Sequence, residues 1–124
     1  MSLSDFKSAY LSIEESGAAV VARFIRPQLS DEENIEQMGQ ELISLVEQYQ
    51  CRQLVLSLEL VDFITSAALG KIIMLHRRLH RKDGKLVVCA AHGPVADVLQ
   101  SSRLNDYFVM ATDTQGALAL LTAS

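Results

Sequence analysis

The stretch that decides the fold class is "LVLSLELVDFITSAALGKIIMLHRRLHRKDGKLVVCA", residues 54–90. It begins in a run rich in Leu and Val, residues 53–64, which predicts a strand buried on both faces, as is typical of parallel pairing. Apolar residues then recur at helical spacing over 66–84, and Gly84 suits the left-handed position that ends a helix. Residues 85–91 predict the next buried strand. A strand, a helix and a second strand in this order indicate an α/β layer fold with a largely parallel sheet.

The rest of the chain extends the same alternation. A hairpin turning near Gly17 makes the predicted sheet mixed rather than purely parallel. The remaining elements are the hairpin strands over 10–16 and 18–25, a helix over 29–49, a short helix over 94–104, a strand over 107–111 and a closing helix over 113–123. The predicted order is therefore β-β-α-β-α-β-α-β-α, with helices packed against a mixed, mostly parallel sheet.

Length and composition fit one globular domain. The chain has 124 residues, and we expect residues 1–9 to be a flexible N-terminal segment and residues 10–124 to be a single domain. The net charge of -4 disfavours direct binding to nucleic acid. The N-terminus has no secretory signal pattern and no apolar run approaches the roughly 20 residues of a membrane span, so we expect a cytoplasmic protein without membrane contact. Cys51 and Cys89 fit no metal-ligand spacing and are expected to be buried free thiols.

Two neighbouring hydroxyls, Thr65 and Ser66, lie where the central strand becomes a helix. Ser and Thr are preferred helix caps because their oxygens accept the amide protons that have no partner in the first turn. A modification site is the alternative, because a helix N-terminus also favours negative charge. We expect Ser66 to do both, as the cap and as a hydroxyl that a kinase can reach.

Residues 54–90 resemble the core of STAS domains, the anti-sigma factor antagonist family. The signature of that family is an apolar strand, then Asp-Ser-Ser/Thr-Gly-Leu-Gly, then a helix, a Gly turn and a strand. Ser66 stands at the first Ser of the signature, and Leu69-Gly70 match its Leu-Gly. "PVADVLQSSRLNDYFVMATDTQGAL", residues 94–118, resembles the family's third helix, last strand and final helix. The resemblance covers about residues 10 to 121 and implies a STAS-like fold.

The resemblance also implies a function. In the family, the first Ser of the signature is phosphorylated by a serine kinase that doubles as an anti-sigma factor, and a phosphatase resets it. It therefore implies a phosphoprotein of bacterial signal transduction that regulates transcription by switching partners, with Ser66 as the phosphoacceptor and Thr65 as the second choice. The implied partner-binding residues are Arg26, Pro27, Gln28, Ile64, Thr65, Ser66, Ala67, Leu69 and Gly70.

Two departures from the signature keep a second function open. Thr65 replaces the Asp before the serine, and Ala67-Ala68 replace Ser/Thr-Gly. A STAS module that is never phosphorylated and scaffolds a larger signalling assembly is the alternative. The sequence leaves the partner kinase, the sigma factor, the stimulus and the oligomeric state open, a homodimer included.

Other chemistry has less support. His76 and His80 have a spacing that can hold zinc, but no Cys or carboxylate at a convincing spacing completes a site, so we expect no metal and no cofactor. The basic cluster over 76–85 is interpreted as an exposed face that complements the acidic first helix of a neighbour or partner. GxSxG, P-loop and GxGxxG patterns are all missing, and Ser66 has no His near it in sequence. We therefore expect the protein not to be an enzyme.

Overall fold

The computed structural model describes residues 3–30 and 32–122. Residues 1, 2, 31, 123 and 124, over which the predicted N-terminal segment, first helix and closing helix extend, lie outside the described residues. The strands are β1 (Leu11–Ser16), β2 (Ala19–Phe24), β3 (Gln28–Leu29), β4 (Gln53–Ser57), β5 (Phe63–Ile64), β6 (Lys85–Cys89) and β7 (Val109–Ala111). The helices are α1 (Glu32–Glu47), α2 (Ser66–Arg81), α3 (Gly93–Ser101), α4 (Leu104–Tyr107) and α5 (Thr114–Thr122).

The main sheet confirms the predicted fold class. Its strand order is β1-β2-β4-β6-β7, with β1 antiparallel to β2 and every other pair parallel. The β1–β2 hairpin turns at Gly17, whose φ of +60° is a conformation that favours glycine. The parallel strands end together at one edge of the sheet, and α2 begins beyond that edge.

Alternate residues of the central strands face two separate cores. Leu54 and Leu56 of β4 belong to the larger core, which they share with the apolar stripes of α1, α2 and α3. Val55, between them, faces the other side of the sheet and packs with Ala117 and Leu121 of α5. Because neighbouring strand residues point to opposite faces, this alternation places α5 on the other side of the sheet from α1, α2 and α3.

The predicted strand over 53–64 is wrong in its extent. β4 ends at Ser57, the Val61 amide closes a turn on the Leu58 carbonyl at 3.0 Å, and the chain re-enters a strand only at β5. β5 pairs in parallel with β3 in a separate two-stranded sheet. Leu58 and Val61 are both fully buried, so apolar residues continue through the turn and the run resembles one long strand.

Residues 3–9 are attached to α1. The Phe6 ring meets the Tyr49 ring edge-on at 5.5 Å between centroids. The Ser8 hydroxyl donates to Glu41 at 2.6 Å and accepts the amides of Tyr10 and Leu11, each at 3.0 Å. The flexibility expected of residues 1–9 stays a prediction, which limited proteolysis would test.

Candidate functional site

Thr65, rather than Ser66, caps α2. Its backbone is extended, and its Oγ1 accepts the Ala68 amide at 3.3 Å. The same hydroxyl donates to the Leu29 carbonyl of β3 at 3.3 Å, and the Thr65 amide donates to that carbonyl at 3.1 Å. Thr65 therefore closes the helix and ties it to β3. The prediction that Ser66 is the cap is wrong, because the helix begins at Ser66 and the capping position is one residue earlier.

Ser66 is the first residue of α2, and its side chain is exposed. Among the residues that the structure describes, none lies within hydrogen-bond distance of its hydroxyl. The positive end of the helix dipole lies directly beneath it, and the first turn of α2 contains no acidic residue. The hydroxyl is thus accessible, and a negative group attached to it would meet a favourable local field.

The small β3–β5 sheet brings two distant segments together. Gln28 lies opposite Phe63 in this sheet. The Pro27 carbonyl accepts the amides of Asp62 at 2.7 Å and Phe63 at 3.2 Å. The segment around Arg26 and the segment leading to Ser66 therefore form one continuous surface, as the family resemblance implies.

Seven of the nine predicted partner-binding residues are at least partly accessible. Ile64 and Leu69 differ, because each is only 4% exposed and belongs to the larger core. Their side chains support the surface from below and cannot form it. The accessible ones are Arg26, Pro27, Gln28, Ser66, Ala67 and Gly70, which are exposed, and Thr65, which is half-buried. Their contact with a partner stays a prediction.

Sequence reasoning missed the apolar part of this surface. Phe63 is 48% exposed although it lies in a run interpreted as a strand buried on both faces. Leu60 and Ile25, which follow the carboxyl ends of the adjacent strands β4 and β2, are 47% and 45% exposed. The available signal was the polar Asp62 inside the apolar run, which marks a bend. We call the surface made by Arg26, Pro27, Gln28, Phe63, Ser66 and Ala67 the Ser66 face.

Arg26 is held in place at the border of the Ser66 face. Its Nε donates to the Ala9 carbonyl at 3.0 Å, and its guanidinium lies 5.1 Å from the centroid of the Tyr10 ring. Beside it is a depression of about 310 Å³ that reaches the α1 residues Ile35 and Met38.

The other candidate sites contain no complete constellation. His76 and His80 lie with ring centroids 6.2 Å apart, and within residues 3–30 and 32–122 no group of three or more His, Cys, Asp or Glu could hold a metal ion. Cys51 and Cys89 are free and buried, as predicted, and burial raises the pKa of both thiols. In the described part of the chain, none of the helices has both the length and the apolar content required to cross a bilayer.

The chain is similar to proteins named as anti-sigma factor antagonists. The family model described as "STAS domain" matches residues 10–117. BtrV of Bordetella bronchiseptica, a proposed anti-sigma factor antagonist, is 31% identical over 86 residues, which are 69% of this chain and 73% of BtrV. Two solved structures share the fold. An anti-sigma-factor antagonist (STAS) domain protein from Planctomyces limnophilus has a TM-score of 0.79 at 19% identity, covering 93% of this chain and 99% of that one.

The second structure is the Bacillus cell fate determinant SpoIIAA in its phosphorylated form. It has a TM-score of 0.64 at 21% identity and covers 83% of this chain and 92% of SpoIIAA. The match to the family model extends over most of the sequence, from β1 into α5, and includes both segments of the Ser66 face. The chain therefore belongs to the STAS domain family.

Proposed function

We propose that this protein is an anti-sigma factor antagonist that binds an anti-sigma serine kinase through the Ser66 face. Phosphorylation of Ser66 releases the kinase, and a phosphatase restores binding. The observation that carries the proposal is that the hydroxyls of Thr65 and Ser66 differ in their hydrogen bonds and exposure. Thr65 makes the structural bonds, whereas the Ser66 side chain is exposed and its hydroxyl has no hydrogen bond to any residue that the structure describes. The role is one of binding, and catalysis belongs to the kinase.

The local physics explains why the modification would act on the partner rather than on the fold. A phosphate adds about -1.5 to -2 charges and three acceptor oxygens. At the N-terminus of α2 the dipole stabilises that charge by about 0.3–1 kcal/mol. A bound partner that covers Phe63 would instead have to desolvate the phosphate beside an apolar contact, which is costly. Phosphorylation therefore lowers affinity while it leaves stability nearly unchanged.

The comparisons support this proposal. BtrV is named for an antagonist role, and the structure of phosphorylated SpoIIAA concerns a protein of the same fold.

Thr65 in place of the family's Asp changes one bond. An ionised Asp could accept the Ala68 amide but could not donate to the Leu29 carbonyl, whereas Thr65 does both. The substitution removes a charge from the site and adds a link to β3.

A scaffold that is never phosphorylated is the second candidate. It is favoured by Ala67, an exposed residue where the family signature has Ser or Thr. In that function the Ser66 face would hold a partner permanently inside a signalling assembly. For both candidates we propose the bacterial cytoplasm as the location and transcription regulation as the process, with the formation of a homodimer still to be measured.

The test uses three baits in extract of the source organism: wild type, Ser66→Glu and Ser16→Glu. Ser16 is an exposed serine at the other end of the sheet, so its variant controls for the added charge. We expect an ATP-dependent protein kinase to be retained by wild type and Ser16→Glu and lost by Ser66→Glu. Incubation of that kinase with wild type and ATP should add one phosphate at Ser66. If Ser66→Glu retains the same partners as wild type, the switch is wrong and the scaffold is supported.

A further inference from the structure

Four lysines and arginines at the C-terminal end of α2, counting its C-cap residue Lys82, fall into two groups. Arg78 and Lys82 both bind Glu47 of α1, at 3.1 Å and 3.2 Å, and these bonds hold the pKa of that carboxyl below its usual value. Arg77 and Arg81 are exposed and, among the described residues, have no carboxylate within ion-pair distance. In the described residues, part of the basic cluster thus pairs with this chain's own α1, on one side of α2, and the expected contact with the acidic first helix of a neighbour or partner stays a prediction.

The unpaired arginines border a groove with an aromatic wall. The groove has a volume of about 360 Å³ and is lined by His76, Arg77, His80, Arg81 and Tyr107. Tyr107 belongs to α4, is 42% exposed and lies 4.8 Å from the His76 ring between centroids. Asp106, its neighbour in α4, makes no ion pair with either arginine. The groove therefore offers two free guanidinium groups beside an exposed ring.

We infer that this groove is a second docking site, separate from the Ser66 face, for an acidic peptide segment of a partner protein. Residues four apart on a helix have Cβ atoms about 5–6 Å apart, so Arg77 and Arg81 form a pair of matched spacing. Carboxylates two residues apart on an extended segment repeat at about 6.7 Å, which suits that pair. An apolar side chain nearby in the segment would pack on Tyr107.

The charge distribution favours a short acidic segment over nucleic acid. Five of the chain's 11 lysines and arginines lie within residues 77–85, yet the whole chain carries a net charge of -4. A long polyanion would be repelled by the net negative charge of the chain, and it needs a larger basic surface than two arginines supply. A few carboxylates on a flexible segment fit inside the basic area.

The position of the groove separates it from phosphorylation at Ser66. Ser66 is the first residue of α2, and 11 and 15 helical steps place it about 17 Å from Arg77 and about 22 Å from Arg81. At physiological salt both distances are more than two Debye lengths, so a charge added at one end is screened at the other. Binding in the groove should therefore persist in Ser66→Glu.

The experiment measures the anisotropy of a fluorescein-labelled peptide with the core Glu-Ser-Glu-Ser-Phe, whose two Glu side chains and Phe share one face when the peptide is extended, as the full chain is added. Arg77→Ala/Arg81→Ala is compared with the matched control Arg78→Ala/Lys82→Ala, which removes the same charge from the other side of α2. We expect the affinity to fall about tenfold in the first variant and less than twofold in the control. Tyr107→Ala should weaken binding, and a peptide with Gln in place of Glu should not bind. Melting curves by circular dichroism establish that each variant is folded.

Four outcomes would overturn the inference. They are the absence of saturable binding at millimolar peptide, an equal loss of affinity in both double variants, tighter binding to a single-stranded oligonucleotide than to the peptide, and a homodimer by sedimentation that Arg77→Ala/Arg81→Ala dissociates. The last two would assign the groove to nucleic acid or to a second copy of the chain. The peptide assay contains no kinase, so its failure and a failure of the proposed kinase switch are distinguishable, and retention of peptide binding by Ser66→Glu shows that the two sites are separate.

Discussion

The two hydroxyls at the start of α2 should respond very differently to replacement by Ala. Thr65→Ala removes a cap, which typically costs about 1 kcal/mol in the free energy of unfolding. It also removes the bond from Oγ1 to the Leu29 carbonyl, which adds about 1 kcal/mol. That carbonyl keeps the Thr65 amide as a donor, so no buried acceptor loses all its partners. We therefore expect a loss of about 2 kcal/mol, with Thr65→Ser close to wild type.

Ser66→Ala is the matched variant, because its hydroxyl makes no bond in the described residues. Its effect should lie within about 0.5 kcal/mol of zero. For a chain of 124 residues, 1 kcal/mol corresponds to about 4 °C in Tm, so Thr65→Ala should melt about 8 °C lower and Ser66→Ala about where wild type does. Thermal melts and urea titrations followed by circular dichroism measure both values. If Ser66→Ala loses as much stability as Thr65→Ala, Ser66 is the cap and the assignment of roles is refuted.

Three further predictions concern groups away from the Ser66 face. Burial, and then the nearby His80, lowers the pKa of His76, so the unfolded chain binds that proton more readily than the folded one. The contribution of His76 to the free energy of unfolding should thus be complete above about pH 6.5 and decline below it. Urea titrations at several pH values should show that the free energy of unfolding of His76→Gln declines less steeply than that of wild type. An equally steep decline would contradict this prediction. Cys51 and Cys89 should resist a thiol reagent until urea is added, since burial keeps both protonated; rapid labelling of the native protein would show otherwise. Leu75→Ala, at a fully buried position of α2, should cost about 2–5 kcal/mol, and a loss near zero would mean that the core relaxes around the gap.

The fold class could be predicted because the longer helices and the central strands each have a characteristic pattern of apolar residues in the sequence. The stripe of α2 and the apolar runs of β4 and β6 are long enough to predict the type of each element, although the run of β4 did not show where that strand ends. The two-residue strands β3 and β5 are too short to contain a period. They exist because distant backbones meet in the folded chain, and local patterns carry no information on that contact. The turn at α4, where Arg103 adopts a φ of +59°, was missed for a similar reason, since no Gly or Asn marks it.

The candidate site was predicted only in part. The motif located two hydroxyls at the start of α2 but assigned the cap to the wrong one, because Ser and Thr are nearly equal as caps and one residue decides which of them is in the helix. Ile64 and Leu69 are buried, although most of the other residues predicted to bind the partner are accessible, and the motif did not distinguish the two groups. The packing of α1 against α2 decides which arginines of α2 form ion pairs. The sequence of the basic cluster contains no information on that packing.

The small β3–β5 sheet has a consequence for amide hydrogen exchange. An isolated ladder of two short strands is marginal in stability and can open while the main sheet stays intact. The amides of Asp62, Phe63 and Thr65, which bond to Pro27 and Leu29 in this ladder, should therefore exchange with solvent well before those of β4. A partner seated on the Ser66 face would hold the ladder closed and slow these three protons together. The exchange rates of these three amides therefore report whether a partner covers the Ser66 face, and no dye or tag has to be attached to either protein.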